Sequence, residues 1–211
     1  MRKAITIVFV FFTLFGYSQK EANVWCFGQD IKLNFHSGNP TLSSPTVMYT
    51  KYGCANMCTQ KGRLLFLTDG KNVWDSSNVL IGSGLIGANL NASQSALIIP
   101  NPDTSYLFYV FTPSTPTLDF VYFSVIDMRL NSGKGGIRST KKNQKLPTLS
   151  AGKITAIQHA NRHDFWVVTP NYGTDEIHSY FITDTGIVTK PVISHSGFKL
   201  KSGIDSIVGY M

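Results

Sequence analysis

No stretch of this 211-residue chain is apolar for long enough to cross a membrane as a helix: the longest run, Ala4 to Phe15, holds twelve residues, against the roughly 20 that a span needs. Cysteine is scarce, with Cys26, Cys54 and Cys58 the only three. Three thiols cannot all pair within one chain, and no second Cys or His pair stands at ligand spacing near them, which argues against a zinc site. Cys54 and Cys58 are four apart in what reads as a strand, some 13 Å at about 3.3 Å per residue, so any bridge would have to run from Cys26 to one of them. Simple buried thiols are the plainer expectation. No amphipathic helix of three turns with caps is present, and no segment is low in complexity. The glycines of "GSGLIGANLNASQS" lack the Lys-Ser/Thr ending and helix of a phosphate loop, and no nucleophile elbow occurs.

What is present begins with Arg2 and Lys3, the apolar run, and then "GYSQ", the layout of a secretory signal over residues 1–18 with cleavage expected between Ser18 and Gln19. Export to an extracellular or outer-surface location is therefore expected. Without Arg2 and Lys3 the chain has 17 basic against 12 acidic residues, a formal charge of +5. The cations are scattered apart from Arg138, Lys141, Lys142 and Lys145, in a Gly/Ser-rich segment that no aromatic interrupts. Nucleic-acid sites pair a basic face with stacking aromatics, so this segment reads as a solvated loop and no nucleic-acid partner is expected.

Strand-type residues dominate between turn signals, and 43% of the chain is apolar, which makes the class all-β. "LLFLT" ends at Thr68 before Asp69-Gly70, a step suited to a hairpin because Gly accepts positive φ freely and Asp tolerates it. "YLFYVFT" ends at Thr112 and "DFWVVT" at Thr169. Each is followed by a polar turn and a returning strand, each is preceded by a further strand ("YGCANMC", "SQSALII", "KITAIQHA"), and each has a fourth downstream ("NVLIG", the segment near "GGIRS", "GIVTKPVIS"). Four short antiparallel strands per period is the build of a β-propeller blade, and we place blades at about 50–92, 93–148 and 152–200. A β-sandwich with chance hairpin similarity is the alternative. Residues 23–35 and 204–211 read as terminal strands, which would either complete one split blade or mark an incomplete ring; the incomplete ring is preferred.

The segments "QKEANVWCFGQDIKLNF", "GRLLFLTDGKNVWD", "SQSALIIPNP", "YLFYVFT", "VIDMRLN" and "HANRHDFWVVT", in order over nearly all of residues 19–211, together resemble the N-terminal β-propeller-like (WD40-like) region of large secreted proteins of gliding, Bacteroidetes-type bacteria. Those proteins commonly continue into PKD-like modules and a gliding-motility or type IX sorting domain, neither of which is in this sequence, and their propeller is longer. The resemblance implies a surface scaffold and supplies no catalytic residues.

The local chemistry is thin. His159, His163 and Asp164 in "HANRHD" form the only cluster able to bind metal or move protons, yet they fall between two strands where turn residues belong. Asp127 and Asp184 close returning strands, where a carboxylate can tie down the next turn. "TDGKNVWD" approaches an Asp-box but lacks its spacing, so Trp74 reads as hairpin packing. His36, His178 and His195 are solitary, with turn or surface roles the default. Tyr106, Tyr109, Tyr122, Tyr172 and Tyr180 offer glycan stacking or ordinary cross-strand packing. The function expected is a non-enzymatic scaffold or recognition module for a protein or glycan at the cell surface, with no cofactor. The rival is a secreted polysaccharide hydrolase or lyase drawing acids such as Asp127 from several blades.

Overall fold

The computed structural model of the chain describes residues 20–51, 53–88, 94–114 and 120–199, and among them the architecture is all-β. Four antiparallel sheets follow one another along the chain, none closed on itself. The first is β1 (Val24–Phe27), β2 (Ile31–Asn34) and β3 (Thr41–Leu42) in that order. Residues 23–35 therefore find their partner in the next few residues, while 204–211 lie outside the described residues. The second sheet is the meander β4 (Ala55–Cys58), β5 (Leu64–Thr68), β6 (Val73–Asp75) and β7 (Leu80–Gly82).

The third and fourth sheets repeat this meander with a divided outer strand. In the third, β8 (Leu97–Pro100), β9 (Leu107–Pro113) and β10 (Phe120–Asp127) are followed by β11 (Gly136–Ile137) and β12 (Gln144–Leu149), both paired with β10. In the fourth, β13 (Thr155–Gln158), β14 (Phe165–Pro170) and β15 (Glu176–Thr183) are followed by β16 (Gly186–Ile187) and β17 (Val192–His195), both paired with β15. The strand β12 corrects the reading of the basic segment as loop throughout. Lys145 lies in it with Nζ 3.3 Å from the centre of the Phe120 ring, and Pro147 is tolerated because this is an outer strand.

Successive sheets meet through their first strands: β1 packs beside β4, β4 beside β8, and β8 beside β13. The core accordingly falls into three layers. Val24, Cys26, Met48, Cys58 and Leu67 fill the space between the first and second sheets. Phe66, Val73, Phe108, Val110 and Ile126 lie between the second and third. Ile99, Tyr109, Phe111, Ile154, Val167, Tyr180 and Ile182 lie between the third and fourth. Period-two burial drives this, as in β15, where His178, Tyr180 and Ile182 are buried in alternation with half-exposed neighbours. Phe66 and Phe111 are fully buried, and each such side chain stabilises the fold by roughly 2 kcal/mol.

The β5–β6 hairpin closes over four residues rather than two, since Thr68 pairs with Val73. Asp69 Oδ1 accepts from the N–H groups of Lys71 and Asn72 at 2.7 and 2.6 Å, and Gly70 takes φ +88°. A Cβ on Gly70 would stand 2.4 Å from the Ser95 carbonyl oxygen. The turn is thus pressed against the segment that leads into β8, and only glycine fits.

The three Thr endings are not equivalent. By pairing with the first residue of each opening strand, Thr68 corresponds to Phe111 and Val168. Thr112 and Thr169 come one residue later and share a role, donating to the carbonyls of Ile86 (2.6 Å) and Lys153 (2.9 Å) on the segments that lead into their own sheets. Thr68 instead donates to Asn72 O within its own turn, at 2.6 Å. A one-residue slip exchanges the two faces of a strand, so Leu67, Val110 and Val167 face the preceding sheet while Phe66, Tyr109 and Trp166 face the following one.

Candidate functional site

The "HANRHD" turn joins β13 to β14. Asn161 Oδ1 accepts from the backbone N–H groups of His163 and Asp164, both at 3.0 Å, and Asn161 Nδ2 donates to Asp164 Oδ2 at 2.7 Å. His163 Nδ1 is 2.9 Å from Asp164 Oδ1. These bonds hold the Asp164 carboxyl below its ordinary range, Asn161 contributing most and His163 next. His159 accepts from the Asn161 backbone N–H through Nδ1 at 3.2 Å and packs its ring on Phe181 and Trp166, with centroids 5.2 and 6.2 Å away. The two imidazoles thus serve different neighbours, and among the described residues no three His, Cys, Asp or Glu side chains gather as metal ligands.

Asp127 ends β10, buried, and is fully committed. Arg129 gives it a fork at 3.0 and 2.9 Å plus its backbone N–H at 3.0 Å, and Arg138 gives a second fork at 3.0 and 2.8 Å. The Arg129 side-chain bonds, chief among these, hold the carboxyl well below the usual carboxylate range despite burial. An acid so neutralised and enclosed has no proton to offer a glycosidic oxygen and no path to one. Arg138, read from sequence as part of a solvated basic loop, is an internal partner. Asp184 caps its own turn, accepting from Thr185 N–H at 2.7 Å.

Sequence reasoning missed a buried polar chain. His178, assigned a surface or turn role, is 4% exposed inside the fourth sheet. Its Nδ1 lies 2.6 Å from Thr148 Oγ1 on β12, whose hydroxyl also meets that of Tyr180, and its Nε2 lies 3.1 Å from Glu176 Oε2. Asn171 Nδ2 donates to the same carboxylate at 2.7 Å, and this bond first, the one from His178 second, lowers the Glu176 pKa. The order carboxylate, imidazole, hydroxyl is that of a nucleophilic relay. Thr148 is, however, 0% exposed and its hydroxyl is shared with Tyr180, so no substrate reaches it. The chain is a tie between the third and fourth sheets. Tyr109 is likewise buried, accepting from Asn101 Nδ2 at 3.0 Å, and Tyr106 lies beneath the Arg129 guanidinium at 3.9 Å. These rings are occupied by packing and are not free stacking surfaces.

Among the described residues an open concavity lies elsewhere, between the first strands β4 and β8. A cavity of about 280 Å³ is lined by Gly53, Cys54, Ala55 and Asn56 on one side and Gln94, Ala96, Leu97 and Ile98 on the other. Two amides fix its walls. Asn56 Oδ1 accepts from Cys26 N–H at 3.0 Å while Nδ2 donates to Val24 O at 2.9 Å, and Gln94 makes the same pair of bonds with Ile154 N–H (2.9 Å) and O (2.7 Å). Asn56 thereby mimics a ladder step between β4 and β1, and Gln94 one between the segments that lead into β8 and β13. The cysteines line up here as free thiols. Cys54 is half-buried at the cavity and donates to Cys26 O at 3.4 Å, while Cys26 and Cys58 are buried in the first core layer. Burial pushes the Cys26 thiol up to about 12 and raises the other two.

The class these observations define is an all-β protein of four consecutive antiparallel sheets joined through their first strands. No family model matches the chain, and neither a curated protein nor a solved structure matches it.

Proposed function

We propose that this chain is a propeller-like scaffold segment of an exported surface protein, acting without catalysis as a recognition module for a protein or glycan. The observation that carries the reading is the series of first strands β1, β4, β8 and β13 standing side by side, with a cavity opening between two of them. In a propeller the first strands of the blades line the central axis, where ligands gather. The cavity walls are small side chains, amides and aliphatic groups without a charge, which suits a sugar ring or an uncharged side chain. Its volume is near the lower end of the roughly 300–1,000 Å³ of small-molecule sites, so it takes one residue or one sugar of a larger partner. The resemblance to surface proteins of gliding bacteria and the leader-like residues 1–18 support an outer-surface location; among the described residues no helix is long and apolar enough to cross a membrane.

The test is binding of the purified chain to immobilised glycans and surface-protein extracts, with wild type compared with Ala55→Leu, which fills the cavity. A tenfold loss of binding with an unchanged melting temperature is expected. Binding that ignores the filled cavity would defeat the proposal.

A further inference from the structure

The faces that pack between sheets are of two kinds in this chain. The face turned to the following sheet carries a cross-strand row through the third residue of each first strand. That row is Met57, Phe66 and Asp75 in the second sheet, Ile99, Tyr109 and Val125 in the third, and Ile157, Trp166 and Phe181 in the fourth. Each has an aromatic at its centre. Phe66 and Tyr109 are buried under the next sheet, but Trp166 has no such cover among the described residues. Ile157 is 59% exposed, Val192 on the same face 60%, and the ring neighbours of Trp166 are Phe181 and His159 of its own sheet and turn, at 4.6 and 6.2 Å.

The other end of the chain shows the complementary face. In the first sheet, Val24 and Cys26 point to the second sheet, and the row Trp25, Leu33 and Leu42 points away, with Phe27 and Ile31 beside it. Trp25 is 51% exposed and Leu42 77%. Period-two alternation puts Asn34 and Lys32 on the packed side of β2 and only apolar residues on the free side, the reverse of a solvated face. Apolar patches of this kind mark interaction surfaces.

We infer that the free face of the fourth sheet is a joint for a second copy of this chain, which docks there with the free face of its own first sheet. Each copy carries both halves of a joint that it already builds three times internally, a following-face against a preceding-face. This continuity selects another copy over an unrelated partner. A single joint is small: four strands of four residues cover about 250 Å² in projection at 4.8 Å spacing and 3.3 Å rise, against roughly 800 Å² per partner for a stable complex. Two copies related by a two-fold axis make two such joints at once, about 500 Å² per copy, the size of a weak complex that dissociates on dilution. They also bring together eight sheets, within the roughly 4 to 8 blades over which such rings close; a head-to-tail contact that failed to close would instead grow into filaments.

The experiment is the solution mass of the full chain by light scattering and sedimentation, from low to high micromolar concentration. A dimer is expected that dissociates on dilution and does not grow further. Trp166→Glu in one face and Leu42→Lys in the other are each expected to weaken self-association at least tenfold, with unchanged far-ultraviolet circular dichroism. Leu42 is so exposed that its change leaves the fold intact even where that at Trp166 does not. A monomer at every concentration, growth beyond the dimer, or a dimer indifferent to Leu42→Lys overturns the inference. So does a monomer in which Ile157→Cys resists alkylation, because other residues of the chain would then cover the face. None of these readouts depends on ligand binding, so the joint and the cavity stand or fall separately.

Discussion

Asp127 receives Arg138 from eleven residues further along the chain, Nη2 to Oδ2 at 2.8 Å, across the turn that leads from β10 into the divided outer strand. With Arg129 on its other oxygen, the carboxylate clamps the end of β11 to the end of β10. Asp127→Asn removes the charge that both guanidiniums bond, and a loss of about 2 kcal/mol in urea unfolding is expected.

The same carboxylate predicts a pH dependence. Its folded pKa lies below its unfolded value, so its contribution is complete above the ordinary carboxylate pKa of about 4 and fades as pH falls through the folded value. Wild type should lose stability below about pH 4 more steeply than Asp127→Asn, compared by urea titrations at pH 7 and pH 3. Parallel losses in the two proteins would contradict the assignment.

Gly70 and Gly38 share φ +88° but differ in surroundings, since nothing lies within 4 Å of a Cβ built at Gly38. Gly38→Ala should cost only the left-handed backbone strain, about 1 kcal/mol. Gly70→Ala must also displace the Ser95 carbonyl, and a cost of roughly 3 kcal/mol is expected, measurable as a clear separation of the two melting temperatures.

Thr148→Val leaves His178 Nδ1 and the Tyr180 hydroxyl without their shared partner in a buried layer. A loss of about 2 kcal/mol follows from stranding buried polar groups. Tyr180→Phe in the same background should cost less than it does alone, because the bond it would break is already gone; a double-mutant cycle reads that coupling directly.

The thiols should differ in reactivity. Thiolate is the reactive form, and the Cys26 pKa of about 12 keeps it protonated at pH 8. Cys54, half-buried at the cavity, is expected to be alkylated first by iodoacetamide in the native protein, with Cys26 and Cys58 modified only on unfolding. Mass spectrometry of timed samples gives the order.

Much of the fold was legible because its signals are local. Asp69-Gly70, the apolar runs ending near Thr68, Thr112 and Thr169, and the short returning strands depend on neighbours in sequence, and all four strands of the second sheet fall where those signals place them. The strand β12 escaped because Gln144, Lys145 and Pro147 are poor strand signals, and its pairing comes from β10, more than 20 residues earlier. His178 escaped for a similar reason. Nothing within β15 tells a solitary histidine from a surface one, and its partner Thr148 lies 30 residues away.

The sequence by itself determined the class, the hairpins and the order of the sheets, because period-two alternation and turn chemistry act over a few residues. Only the tertiary structure decided which face of each strand meets which sheet. The alignment of Thr68 with Thr112 and Thr169 looks sound in sequence and is off by one residue in space, and one residue is the whole difference between the two sides of a strand. The fate of Asp127, enclosed by two arginines, and of Trp166, which no other sheet covers among the described residues, was settled by contacts between segments that the linear order keeps apart.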